Sequence, residues 1–196
     1  MTVNTNLFAD FELEFLDSDG VSPNFSLIVV EGQDDSFLVP GPGIKFSGNG
    51  QLVVVGADRL DMAIGFTVTE LFPDLDIDGN SLTILSDTVV GTAFIEVGEF
   101  VADASGVGLG QKQVETDPFF APPISTDAIE FPILQKKLII EKDILLQGSA
   151  AGDFAELDMF EQRFSQVPEP DVALSLGVGA AGLWALSRRR VARARG

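Results

Sequence analysis

Along residues 7–15 apolar and acidic residues alternate, with Leu7, Ala9, Phe11, Leu13 and Phe15 on one side and Asp10, Glu12 and Glu14 on the other. A period of two belongs to an extended chain, so this stretch is predicted as a half-buried β-strand with an acidic outer face. Shorter runs rich in Phe and β-branched residues follow at 25–30, 52–55, 62–71, 82–85 and 89–100. Turn-forming clusters separate them: Asp17-Ser18-Asp19-Gly20, Pro40-Gly41-Pro42-Gly43, Gly48-Asn49-Gly50 and Asp78-Gly79-Asn80. Residues 116–132, with Pro118, Pro122, Pro123 and Pro132, read as a long irregular loop. Residues 136–147 fit a strand or a short amphipathic helix. Residues 154–164 are equally ambiguous, and a final strand suits the rest better.

The fold class this pattern predicts is all-β: a sandwich or jelly-roll-like domain over residues 1–165, its core supplied by sixteen Phe. Residues 166–196 form a separate tail with a single C-terminal transmembrane helix. A chain of 196 residues, 45% of them hydrophobic, is long enough to bury one such core.

Charge sharpens the division. Residues 1–170 hold 7 Lys and Arg against 29 Asp and Glu, whereas the last 25 residues hold five Arg and no acid. The acidic body repels nucleic acid and anionic lipid, and nucleic acid is excluded as a partner. With no His, Cys or Tyr, the chain cannot build disulfides, thiol catalysis, Cys/His zinc sites or a Ser-His-Asp triad.

The tail has three blocks in order. Val167, Pro168, Glu169 and Pro170 come first, then an apolar run over 172–186, then Arg188, Arg189, Arg190, Arg193 and Arg195. The run is somewhat shorter than the roughly 20 residues a bilayer core asks of a helix, and snorkelling Arg side chains compensate. Its glycines and alanines give it a small, accessible surface. The arginines orient the segment with the acidic body outside, and the two prolines keep the stretch around Glu169 extended and open to a processing enzyme.

These blocks closely resemble the PEP-CTERM sorting domain, whose pattern is Pro-Glu-Pro, a transmembrane helix and a short Arg-rich end. Pro168, Glu169 and Pro170 match its motif residue by residue, and Arg188, Arg189 and Arg190 match its basic end. The resemblance implies recognition by exosortase, a membrane-embedded cysteine transpeptidase. It also implies passage through the inner membrane to the cell surface or extracellular matrix of a bacterium that makes exopolysaccharide or biofilm. Residues 1–10 show neither the basic nor the continuous apolar region of a secretory signal, and the expectation is a true start farther upstream.

In the body, Asp74, Asp76, Asp78 and Asn80 around Gly79 resemble the first half of an EF-hand loop, in which alternating oxygens converge on calcium. Leu85 stands where the bidentate Glu is expected, so a solvated hairpin turn is the competing reading, and calcium is the one cofactor the pattern suggests. For the body as a whole the expectation is a noncatalytic structural or adhesive module associated with extracellular polysaccharide. The alternative is a secreted glycan-active enzyme with a carboxylate pair. Sugar stacking falls to Phe alone, because Trp184 lies in the tail.

Overall fold

The computed structural model describes residues 1–34, 40–118 and 123–168. Its strands form two antiparallel sheets packed face to face. The first sheet runs in the order β1 (Thr2–Val3), β2 (Asn6–Asp19), β6 (Arg59–Glu70), β11 (Lys137–Gln147), β8 (Phe94–Asp103), β9 (Gly108–Thr116). The second runs β10 (Thr126–Gln135), β7 (Leu75–Val90), β12 (Phe154–Pro168), β4 (Gly43–Ser47), β3 (Val29–Gln33), and β5 (Val53–Val55) also pairs with β12. The all-β sandwich expected from the pattern is present.

Alternation explains the inner faces. On β6, Leu60, Met62, Ile64, Phe66 and Val68 are buried while the residues between them are not. On β11, Leu138, Ile140, Ile144 and Leu146 point inward, which settles 136–147 as a strand paired along its length with β6 and β8. Phenylalanines close the core from both sheets. Phe46 stacks on Phe160 with ring centroids 4.7 Å apart, and Phe8 meets Phe164 at 5.7 Å. Both separations lie in the range where aromatic pairs attract beyond their area burial.

Several expectations need correction. The first strand does not keep one apolar face: Phe8 is buried and Leu7 and Ala9 lie on the opposite side of the sheet, yet Phe11 and Leu13 fall on the side of Phe8, Phe11 stacked on Phe66 and Leu13 opposite Ile64, while staying 43% and 39% exposed. Its register with β6 shifts between Ala9 and Glu12, where Asp10 has φ +54°, and such a bulge reverses the side-chain parity. Phe25–Leu27 is a 3-10 turn capped by Asn24, not strand. The run 89–100 is broken at Gly91, whose φ of +76° ends β7 before β8 begins. Strands β4 and β9 carry too few apolar residues to announce themselves. Residues 126–132, the end of the stretch expected as loop, belong to β10, whose place at the sheet edge tolerates Pro132.

Asp153 ties the turn before β12 to the turn before β8. It accepts hydrogen bonds from the Thr92 amide at 2.8 Å and hydroxyl at 2.5 Å, the Ser149 amide at 2.8 Å and the Ala150 amide at 2.9 Å. The Thr92 hydroxyl and these amides hold its carboxyl well below the usual carboxylate range. A depressed acid stabilises the fold above its unfolded value and loses that effect as pH falls. Asp153→Ala is therefore expected to lower the melting temperature by several degrees at neutral pH, with the gap to wild type closing below about pH 4. Thermal scans across pH check this.

Among the described residues no helix is long and apolar enough to cross a membrane. Val167 and Pro168 end β12, paired with Asp76 and Leu75. Glu169, Pro170, the apolar run and Arg188, Arg189, Arg190, Arg193 and Arg195 lie outside the described residues. The strand thus carries the body three residues past the expected boundary at 165.

Candidate functional site

The outer face of the first sheet is built in rows, because antiparallel register sets residues of neighbouring strands side by side. One row is Ala63, Asp143, Gly98 and Gln113, across β6, β11, β8 and β9. The next is Gly65, Glu141, Phe100 and Gln111. On the other side lies Asp61, Leu145, Glu96 and Glu115. Because Ala63 and Gly98 have little or no side chain, the middle of the face is hollow. The result is an open cleft of about 530 Å³, walled by Leu16, Phe100, Gln111, Gln113, Asp127, Glu141 and Asp143. A smaller hollow of about 290 Å³ lies between Phe94, Glu96, Glu115 and Asp117.

The walls are rich in hydrogen-bonding groups and poor in positive charge. Asp127 comes from the second sheet and is fixed at the rim by the Gln113 amide at 3.0 Å and the Ala128 amide at 2.8 Å. Lys112 and Lys142 reach the cleft only through the floor, since their side chains are turned into the core and are fully buried. Arg59 lies toward the end of the face, donating to Asp61 at 2.6 Å and to Asp17 at 3.4 Å.

Two carboxyls on this face are pushed above their usual range. Asp143 is raised by burial and then by Asp61, which is within hydrogen-bonding reach of it. Glu96 is raised by burial and then by Glu115 and Asp143. A carboxyl raised in the fold makes the protein more stable as pH falls through the folded value toward the unfolded one. Asp143→Asn removes that repulsion at neutral pH and is expected to raise the melting temperature by about 2–4 °C while flattening its rise on acidification. Differential scanning fluorimetry of the two proteins across pH reads both effects.

The expected calcium ligands are not gathered. Residues 75–80 are extended within β7, not coiled into a loop, and a bulge at Asp78 turns the chain so that Asn80 faces inward. Asp74 is exposed beside the turn. Asp76 is paired with Lys136 at 3.2 Å, and the Lys136 ammonium also donates to the carbonyls of Pro73 at 2.6 Å and Leu75. The positive charge at this stretch is therefore a lysine. Among the described residues no group of three acidic side chains is placed to hold a metal ion.

Sequence reasoning missed a second feature, a polar cluster inside the sandwich. Glu99 of β8 accepts from Lys112 at 2.5 Å, Asn80 at 2.7 Å, Gln162 at 3.0 Å and Lys142. The signal was there: Lys142 stands in phase with Ile140 and Ile144, and Glu99 with Val97 and Val101, where alternation calls for apolar residues. A smaller cluster of Thr5, Asn6, Glu70 and Gln166 fixes the end of β12 to the first sheet.

No protein-family model matches the chain, and no curated protein matches it. Solved structures with a similar fold include TmCBM61 in complex with β-1,4-galactotriose, at 12% identity and a TM-score of 0.34, covering 81% of this chain and 88% of that one. Another is a carbohydrate-binding module of the β-sandwich superfamily with promiscuous specificity, at 10% identity and a TM-score of 0.32, covering 85% of this chain and 58% of that one. A third is TmCBM27, a carbohydrate-binding module that recognises mannan, at 10% identity and a TM-score of 0.28, covering 81% of this chain and 98% of that one. At such distances the similarity assigns no ligand, and what this chain can bind follows from its own residues.

Proposed function

We propose that the chain is a noncatalytic, glycan-binding protein of the cell surface or extracellular matrix. The observation that carries this reading is the cleft on the outer face of the first sheet. Its floor is cleared of side chains by Ala63 and Gly98, and its walls present the amides of Gln111 and Gln113 and the carboxylates of Asp127, Glu141 and Asp143. Amides and carboxylates satisfy hydroxyls in pairs, and Phe100 offers an apolar surface to the C–H face of a sugar ring. An anionic ligand would meet like charge, so the fitting ligand is neutral and rich in hydroxyls.

The enzyme alternative needs two carboxyls flanking a scissile bond, about 5–5.5 Å apart in retaining glycosidases and about 6.5–9.5 Å in inverting ones. Asp143 is raised by burial and then by its neighbour Asp61, but Asp61 is committed to Arg59, which donates to it at 2.6 Å, so the pair does not offer two free carboxyls. This favours binding over hydrolysis.

Sorting to the outside is the second half of the proposal and rests on the tail. Exosortase recognises Pro168, Glu169 and Pro170, the apolar run engages the membrane, and the arginines hold the end on the cytoplasmic side. Val167 and Pro168 still belong to β12. Cleavage after Pro168 would therefore leave every described strand whole.

Two measurements test the halves separately. Retention of the protein by neutral polysaccharide in affinity electrophoresis, with no hydrolysis products, supports the body's role; equal mobility with and without every polysaccharide tried overturns it. Intact mass spectrometry of surface and medium fractions from the native host is expected to find a C-terminus near residues 168–170. A chain still ending at Gly196 in the inner membrane overturns the sorting half.

A further inference from the structure

The buried cluster holds one carboxylate and two lysines. The side chains of Glu99, Lys112 and Lys142 are all inaccessible to solvent. One carboxylate neutralises one ammonium, and a second, unbalanced ammonium in the interior is strongly unfavourable. The site therefore eases the loss of a proton from one lysine. Lys112 is the candidate because its Nζ lies against Asn80: burial, with a smaller push from Lys142, brings its pKa down to about 8 against the pull of Glu99, so a fraction of it is neutral at neutral pH, and burial lowers Lys142 as well. A neutral, desolvated lysine amine is a nucleophile.

An electrophile lies against it. Lys112 Nζ touches Asn80 Oδ1, and Asn80 Nδ2 donates to Glu99 Oε1 at 2.7 Å. The same Oε1 receives Lys112 Nζ at 2.5 Å. One carboxylate oxygen thus bridges the attacking amine and the amide nitrogen that would leave. Lys142 lies on the other oxygen, Oε2, and supplies the counter-charge.

We propose that Lys112 and Asn80 are joined by an intramolecular amide bond, formed inside the folded sandwich with Glu99 as the proton carrier. The lysine nitrogen attacks Asn80 Cγ and forms the new C–N bond. Its surplus proton passes to Glu99 Oε1 and from there to Asn80 Nδ2, the Cγ–Nδ2 bond breaks, and ammonia leaves. Nothing is oxidised or reduced and no co-reactant is needed. The bond links β9 of the first sheet to β7 of the second, giving a chain without cysteine a covalent tie across its core. The residues recruited are Asn80, expected as a calcium ligand, and Lys112, whose amine has no solvent contact.

The test is the mass of the full chain, purified in detergent, with a tryptic map. The expected mass falls below that of the sequence by one ammonia, about 17 Da. Trypsin no longer cuts after Lys112, and the peptide 60–136 appears intact and lighter by the same amount. Lys112→Arg and Glu99→Ala are expected to show the full sequence mass; the wild-type map stands even where a variant fails to fold. The full mass with cleavage after Lys112 in wild type overturns the proposal. So does an ammonia loss at Asn80 with Lys112 still cleaved, which is a succinimide, and so does a bridge found between Lys142 and Gln162.

Discussion

Removing Glu99 from a chain that already carries Lys112→Met is expected to cost about 3–5 kcal/mol of stability, because a buried ammonium loses its only carboxylate. The Lys112→Met background keeps any amide bond at Lys112 out of the comparison. In that background Glu99 still receives Lys142, Asn80 at 2.7 Å and Gln162 at 3.0 Å, so the pair is balanced and hydrogen-bonded. Glu99→Ala then leaves Lys142 over the Phe160 ring, 5.9 Å from its centroid, with Gln162 but no counter-charge. Adding Lys142→Met should recover much of the loss, since replacing a whole buried ionic group with apolar side chains is often neutral. Burial alone would push the Glu99 carboxyl up, but Lys142 and Lys112 together bring it below its ordinary value. Its stabilisation is thus present above the unfolded carboxyl value and fades as pH falls through the folded one. Urea denaturation of the three chains reads the energies. A loss under about 1 kcal/mol for Glu99→Ala would mean that water reaches the cluster.

Gly98→Phe is expected to leave the sandwich folded and to weaken glycan binding about tenfold or more, which is 1.4 kcal/mol or above. A Cβ at Gly98 would meet only the carbonyl oxygen of Asp143 at 3.8 Å and its Cβ at 3.9 Å, ordinary van der Waals contact. The backbone there is regular β-strand, and Phe is better suited to a strand than Gly. Fold stability should therefore hold or rise while the ring fills the middle of the cleft. A protein whose outer face is merely solvated would gain stability from Gly98→Phe and lose nothing.

Where alternation is undisturbed, the chain can be read directly. β6 keeps one parity from Leu60 to Val68, and the stretch 62–71 was recognisable as strand from that alone. β2 could not be read fully, because the bulge at Asp10 swaps faces midway and leaves no compositional mark. The Asp-rich stretch of β7 misled for a related reason: Asp, Gly and Asn usually make turns, but here Lys136 and a long partner strand hold them extended. The cleft was out of reach, since it depends on which strands become neighbours. Gly98 and Ala63 lie far apart in sequence and meet only through Asp143 between them. The buried cluster was legible in principle, as charges at inward positions of β8 and β11, though not its partners.

Hydrogen–deuterium exchange with and without a neutral polysaccharide that retains the protein tests the central claim most directly, because it locates the bound surface. The account predicts slowed exchange in β6, β8 and β11 around Ala63, Gly98 and Asp143, absent in Gly98→Phe. Protection confined to the second sheet, or retained unchanged in Gly98→Phe, would contradict it.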